Sequence, residues 1–357
     1  MSGVQFLCIG PRSYLRNRSS DGLYRFYEHL FSNYRHQVLD TTYLQNQVID
    51  AESIIRDTLD PKRPVIMFFY AGPWLGNADN RLVNHERYTK IYDLQDQKTA
   101  KQRDEILRPY DFTCCLFRYD GSEIDELRAA LGGTNTRFEY FPHFINLDEF
   151  RDYGLAKRFG VLYYGNISDA YPFRKQLYKV IRANAEVLNA YIIEPRDGQV
   201  NGFRFERYAR VLRRFISGRR FLVANRWLDV LETLLPRPGG GIRHRELARL
   251  INSAWLTTAT TVGNHDRFVQ KFAEIPLSSS CILGNYPTRH GDLFRGRIVE
   301  LNTEMTDGEI VDVIRAALSD KQELTRKTQE LRMEMASQFG YRNGVKRFGE
   351  IVESLFS

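Results

Sequence analysis

Two stretches of this chain repeat one pattern, and that repetition most limits the folds open to it. V-Q-F-L-C-I-G at 4–10 and F-G-V-L-Y-Y-G at 159–165 are apolar runs that stop at glycine and lead through a polar loop into helical periodicity. Runs this short, bounded by turn residues, fit strands buried on both faces of a sheet. After the first start come a helix over 23–33, a short strand at 38–40, a helix over 51–59 and the strongest strand signal, P-V-I-M-F-F-Y at 64–70. Strands at 90–94, 112–117 and 137–142 follow, with a helix between the first two and another over 125–131. After the second start come a helix over 174–188, a strand at 191–194, a long helix over 203–216 and a strand at 221–224. A helix over 244–252, strands at 254–260, 281–283 and 297–301, and helices over 307–318 and 321–338 complete the series. Strand alternating with helix in this way specifies parallel α/β sheets.

A chain of 357 residues exceeds one small core and divides here into two halves of similar size. The expected domains are residues 1–150 and 158–340, parted in the polar segment 146–158. An amphipathic stretch over 345–355, within a terminal piece 341–357, is free to pack back on the first half. A cleft between the halves is then the natural binding site. No apolar run approaches the roughly 18–20 residues that cross a bilayer. A cytoplasmic protein, at most peripheral to a membrane, is expected. The apolar patch at 4–9 lacks a basic lead and a cleavage-site pattern, so it reads as a strand and not a signal peptide. Cys8, Cys114, Cys115 and Cys281 lie in strand-like contexts without metal spacing and are expected as buried reduced thiols. A net charge of +7, spread along the chain, favours an anionic substrate over a nucleic acid partner.

The densest chemistry lies at 264–285, N-H-D-R-F-V-Q-K-F-A-E-I-P-L-S-S-S-C-I-L-G-N. A basic loop, a short amphipathic helix with one acid (Glu274), a small-residue turn and a buried strand follow one another. That is how an α/β sheet builds a ligand crevice at the carboxyl ends of its strands. Arg267 and Lys271, four apart, share one helix face. With Glu274 beside them they suit a ribose flanked by phosphates, and so a nucleotide-linked substrate. The competing reading makes the two cations a solvated face and Glu274 an acid placed by the helix dipole. Asn264 and His265 lie in the preceding loop, within reach of a sugar or phosphate, although a lone loop histidine is commonly just solvated. A second anion-binding candidate starts at Gly165 and runs through Asn166 and Ser168 to Arg174, where backbone N–H groups at a helix start meet an anion. Zinc spacings, a P-loop, a G-x-S-x-G turn and a D-x-D pair are absent from the sequence, so no metal or other cofactor is expected.

Four stretches, in this order, resemble the GT-B fold glycosyltransferases, and more narrowly their spore-maturation (CgeB-type) group. E-Y-F-P-H-F-I-N-L-D-E-F at 139–150 resembles the segment where that family leaves its first domain. G-V-L-Y-Y-G-N-I-S-D-A-Y-P-F-R at 160–174 resembles the first strand and loop of its second domain. R-H-R-E-L-A-R-L-I-N-S-A-W at 243–255 is similar to its loop, helix and small-residue strand. R-F-V-Q-K-F-A-E-I-P-L-S-S-S-C-I-L at 267–283 is similar to its signature helix and strand. The landmarks cover most of residues 85–350.

The resemblance implies a GT-B architecture: two Rossmann-like α/β domains facing a cleft, with the C-terminal helix packed back on the first. It implies hexosyl or pentosyl transfer from a nucleotide-sugar on the second domain to a hydroxyl of a glycan or glycoconjugate on the first, without a metal. Glu274 would accept hydrogen bonds from ribose hydroxyls, as an acceptor-only carboxylate can. Arg267 and Lys271 would hold the departing diphosphate. Two departures stand out. Ser279-Ser280 occur where the family usually has glycine, and Asp266 stands eight residues before Glu274 where many retaining members have glutamate. In a retaining enzyme Asp266 would face the sugar. An inverting one needs a base for the acceptor hydroxyl, and Asp21 lies where some relatives supply it. An ordinary helix N-cap is the competing reading of Asp21, and Asp93, Asp96 and His85 are rivals. Retention and inversion both stay open. So do transfer to DNA, with Arg12, Arg16 and Arg18 on phosphates, and a non-catalytic binding protein that keeps the fold.

Overall fold

The computed structural model describes residues 3–10, 21–40, 48–70, 81–94, 111–118, 129, 135–165, 167, 171–193, 244–261 and 268–356. Arg12, Arg16, Arg18, Asp96, Asn166, Ser168, Asn264, His265, Asp266 and Arg267 lie outside them, as do the elements expected over 203–224 and nearly all of 125–131.

In the first half the described strands are β1 (Gln5–Gly10), β2 (Arg35–Asp40), β3 (Val48–Asp50), β4 (Val65–Phe69), β5 (Arg81–Val83), β6 (Thr89–Leu94), β7 (Cys114–Phe117) and β8 (Arg137–Tyr140). Six of them form one parallel sheet in the order β2-β1-β4-β6-β7-β8, while β3 and β5 pair apart. The second half contains β9 (Phe159–Tyr163), β10 (Ala190–Ile192), β11 (Ala254–Ala259), β12 (Cys281–Gly284) and β13 (Val299–Glu300). These form a second parallel sheet, β10-β9-β11-β12-β13. In both sheets the first strand lies inside the second, so the winding reverses beside β1 and beside β9. Open α/β sheets put their ligand crevice at such a reversal, outside the carboxyl ends of the strands.

β1 and β4 are buried at every residue. Successive side chains of a strand point to opposite faces. Phe6 and Cys8 therefore join one core with Phe26 and Phe68, and Leu7 and Ile9 join another with Met67 and Ile55. The second sheet repeats this, with Leu162 and Tyr164 in one core and Val161 and Tyr163 in the other. All four cysteines are buried free thiols. No described helix is long and apolar enough to cross a membrane.

The α-helices among the described residues are α1 (Asp21–Phe31), α2 (Ala51–Thr58), α3 (Pro172–Ala183), α4 (His244–Asn252), α5 (Lys271–Leu277), α6 (Gly291–Phe294), α7 (Asp307–Ser319), α8 (Lys321–Phe339) and α9 (Tyr341–Ser354). The helix expected to reach residue 188 stops at Ala183, where Asn184 turns back to bond the Val180 carbonyl at 2.9 Å. Helix α5 is not amphipathic: Phe272 to Leu277 are all buried, because the sheet covers one side and α8 the other.

Ser279 is one of the two serines that stand where the resemblance leads one to expect glycine. It stands at φ +58°, in the left-handed region that glycine enters most cheaply. Its carbonyl accepts from Lys157 Nζ, and its hydroxyl accepts from Arg332 Nη1 at 3.1 Å. The same lysine donates to the carbonyls of Asn252 (2.7 Å) and Ala254 (3.0 Å), and burial holds it down at about 8.

The chain passes between the sheets twice, and the two passages are bonded to each other. Ile145 N donates to the Phe339 carbonyl at 2.7 Å and Tyr341 N to the Ile145 carbonyl at 3.2 Å. Helix α9 then returns to the first sheet, as expected. Phe348 packs on Phe6 and Phe68 with ring centres 5.7 Å apart in each case, and on Phe141 at 6.0 Å. Gly344 permits this approach, since a Cβ there would stand 2.5 Å from the Phe26 ring and 2.7 Å from Phe144. Gly344→Val is expected to destabilise the fold by about 1–3 kcal/mol, the usual range for an overpacked core. Thermal unfolding checks it, and an unchanged melting temperature would exclude the close contact.

Candidate functional site

The carboxyl ends of β9 and β11 lie side by side at the reversal of the second sheet, and ionisable side chains gather there. Tyr164 and Gly165 follow β9. Helix α5 contributes Lys271 and Glu274, three apart and so on one face. Lys271 Nζ donates to the Tyr164 carbonyl and lies 4.0 Å from the centre of the Tyr164 ring. The Tyr164 hydroxyl donates to Glu274 Oε2 at 3.3 Å. Gly165 has φ +132°, and a Cβ on it would collide with Lys271 Nζ. Glycine is thus required twice, for its backbone angle and for the ammonium that lies against it.

From α3, Arg174 donates through Nε to Thr260 Oγ1 at 3.1 Å and through Nη2 to the Thr260 carbonyl at 3.4 Å. Its guanidinium lies 4.5 Å from the centre of the Tyr171 ring. Tyr163, Tyr164, Arg174, Thr258, Thr260 and Lys271 line one small cleft. The buried Tyr163 hydroxyl in this cleft has no hydrogen-bond partner among the described residues.

Burial dominates the electrostatics. It lifts Glu274 to about 7, although the charge of Lys271 and the hydrogen bond from Tyr164 both favour the carboxylate. Burial lowers Lys271 to about 7, with the charge of Arg174 adding to the fall and Glu274 opposing it. Tyr164 is pushed well up by burial and by Glu274, so it stays a hydrogen-bond donor. Acid and lysine are therefore both balanced between charge states near neutrality, a condition that clusters at binding and catalytic sites.

A raised acid has a defined consequence for stability. Folded Glu274 holds its proton more tightly than the unfolded chain does, so its contribution is full below the ordinary value of 4.5 and is lost as pH rises to about 7. That interval corresponds to about 3 kcal/mol. Glu274→Gln should therefore gain stability over wild type at about pH 8, by up to about 3 kcal/mol, and little at about pH 4.5. Equal melting temperatures at the higher pH would show that the carboxylate is not desolvated.

The first sheet also carries charge at its carboxyl edge, but there it is sealed. Asp93 in β6 and Arg118, just past β7, are fully buried and paired twice, Nε to Oδ1 at 3.0 Å and Nη2 to Oδ2 at 2.7 Å. Arg118 Nη1 donates to the carbonyls of Phe141 (3.1 Å) and Pro142 (2.9 Å), and the Tyr27 hydroxyl bonds both members of the pair. Asp93 is therefore a counter-ion and not the acceptor base, which corrects its place among the sequence candidates. His85 is corrected too. It precedes β6, at the amino end of the sheet, where burial and the charge of Lys90 hold it below its ordinary value. Asp21 is the first residue of α1. His143, which no sequence pattern marks, is half-buried near Arg118 and held at about 3 by desolvation and that charge. Asp93→Asn leaves Arg118 buried and unpaired and should cost about 3–5 kcal/mol, read by chemical denaturation. A loss below 1 kcal/mol, roughly the worth of an exposed pair, would contradict that picture.

The structure thus brings Gly165, Arg174, Lys271 and Glu274 together. Lys271 and Glu274 both face inward, which disposes of the solvated-face reading for the lysine. Tyr163, Tyr164, Thr258 and Thr260 join them without a sequence signal beyond their position at strand ends. Asn166, Ser168, Asn264, His265, Asp266 and Arg267 belong to the loops outside the described residues. No group of three or more histidine, cysteine or acidic side chains among the described residues is arranged to hold a metal ion.

No family model and no curated protein sequence matches the chain. Solved structures do. Sucrose-phosphate synthase from Thermosynechococcus elongatus aligns over 99% of this chain and 99% of its own, at 11% identity and a TM-score of 0.63. Anabaena HepE, solved in complex with UDP-glucose, aligns over 98% of this chain and 99% of its own, at 12% identity and a TM-score of 0.58. The E. coli trehalose-6-phosphate structure bound with UDP-2-fluoro glucose aligns over 98% of each chain, at 9% identity and a TM-score of 0.59. At these identities the likeness is one of fold. The chain has the GT-B architecture, with parallel α/β sheets in both halves.

Proposed function

We propose that this chain is a glycosyltransferase that moves a sugar from a nucleotide-diphosphate sugar to an acceptor hydroxyl without a metal ion. The observation that carries the reading is the convergence of Glu274, Lys271, Arg174 and Gly165 at the winding reversal of the second sheet. In a GT-B fold that edge borders the cleft, and structural neighbours were solved with UDP compounds bound. UDP-sugars are accordingly the first donors to try.

In this reading residues 158–340 bind the donor, residues 1–150 bind a glycan or glycoconjugate, and 341–357 link back to the first domain. Glu274 accepts from the ribose hydroxyls. Lys271 and Arg174, joined by Arg267, hold the diphosphate, with backbone N–H groups of Gly165, Asn166 and Ser168 beside it. The Tyr163 hydroxyl, without a partner among the described residues, supplies a further donor. Asn264 and His265 reach the sugar. A bond forms between the acceptor oxygen and the anomeric carbon as the bond to the diphosphate breaks. The electron pair leaves on the diphosphate, whose growing charge the cations stabilise. The acceptor proton goes to Asp21 in an inverting reaction; in a retaining one it goes to the departing diphosphate oxygen, while Asp266 faces the sugar. The spore-maturation (CgeB-type) group is the narrower assignment, and a cytoplasmic location, in solution or at a membrane surface, accompanies it.

Thermal-shift screening against UDP, GDP, TDP, ADP and CMP conjugates tests the donor class, with one base expected to stabilise the protein clearly. Glu274→Ala should then weaken that nucleotide about tenfold or more, the worth of a lost charged hydrogen bond, with the fold intact. Unchanged affinity refutes the ribose role, and no binding by any donor removes the enzyme reading in favour of a binding protein. Duplex DNA affinity that falls steeply with salt would instead identify DNA as the acceptor.

A further inference from the structure

The geometry points to Tyr164 as the positioning residue of this site: through one side chain and its own carbonyl it holds both Lys271 and Glu274, so nucleotide affinity depends on a hydroxyl that does not touch the nucleotide. This rests on the donor-site reading above. Three contacts carry it. The Tyr164 carbonyl accepts from Lys271 Nζ, the ring lies 4.0 Å under that ammonium, and the hydroxyl donates to Glu274 Oε2 at 3.3 Å. No other described side chain bonds the Glu274 carboxylate, which leaves Oε1 for a ligand hydroxyl. Gly165 completes the device, because any side chain there would displace the lysine from the carbonyl.

The ionisable groups around Glu274 are few. Lys271 stands on its own helix, Tyr164 comes from the end of β9, and Arg174 reaches in from α3 beyond the lysine. The other elements packed on α5 present apolar side chains: Leu331 and Met335 from α8, Ala248 and Ile251 from α4, Ile282 from β12 and Phe294 from α6. Among the described residues, then, the Tyr164 hydroxyl is the one neutral group that favours the carboxylate, and Lys271 is the one charge that does so. Removing the hydroxyl leaves the ring and carbonyl that seat Lys271. The acid loses a donor, takes up its proton more readily, and no longer presents Oε1 in a fixed direction.

Tyr164→Phe isolates the hydroxyl. The carboxyl carbon of Glu274 is titrated by NMR from about pH 5 to 9, its signal assigned by its loss in Glu274→Gln, and UDP binding is followed by calorimetry over the same range. The midpoint, near 7 in wild type, is expected to move to higher pH in the variant. Affinity should fall about fivefold at pH 7 and recover on the alkaline side. In the Glu274→Gln background the second substitution should change affinity no further, because the hydroxyl acts through the acid. An unmoved midpoint overturns the inference. So does a loss that is equal at every pH and persists in the Gln background, which is what a merely structural role would give. A shifted midpoint in a protein that binds no nucleotide removes the donor-site reading and leaves the positioning role standing.

Discussion

A parallel sheet covered on both faces leaves only its strand ends for polar chemistry, and this molecule is organised by that constraint twice. Phe6, Leu7, Cys8 and Ile9 of β1 alternate between two apolar cores, as do Val161, Leu162, Tyr163 and Tyr164 at the start of the second half. Charged side chains can enter only where the strands stop. The two sheets resolve the resulting desolvation differently. At the carboxyl edge of the first, Asp93 and Arg118 neutralise each other and bond to the chain as it leaves β8. At that of the second, Lys271 and Glu274 are left unequal to their burial.

The difference separates structure from function. A buried bidentate pair whose donors are all used holds neighbouring segments in register and has nothing left to offer a ligand. Lys271 and Glu274, each displaced to about 7, are costly to hold near neutrality, and an incoming ligand with hydroxyls and anionic charge can relieve that cost. Tyr164 keeps the arrangement ordered by touching both. Beside it, the Tyr163 hydroxyl has no partner among the described residues, and a buried polar group left so calls for an explanation.

Much of the fold was legible in the chain because its strands are continuous apolar runs and its glycines mark where they end. β1, β4, β9 and β12 stand within a residue or two of where the pattern puts them. The pair β3 and β5 was not legible, since three-residue strands have no period to read. Helix α5 was legible as a helix but not as a buried one: its lysine and glutamate suggest a solvated polar face, and only their contacts with Tyr164 show that this face turns inward. Of the candidate site, Gly165, Arg174, Lys271 and Glu274 were found from spacing and charge. Tyr164 was not, because a tyrosine beside a strand end looks like any core aromatic.

The sequence by itself determined the two parallel α/β halves, the returning C-terminal helix and the identity of the charged residues near the second sheet's crevice. These follow from local periodicity, glycine positions and composition, all of which act over a few residues. Only the tertiary structure decided which charges are spent and which are held open. Asp93 and Glu274 are equally plausible acids in one dimension. One meets a guanidinium 25 residues away, and the other meets a tyrosine hydroxyl 110 residues away. Burial and partner choice are set by contacts distant in the chain, and they determine what an acid can do.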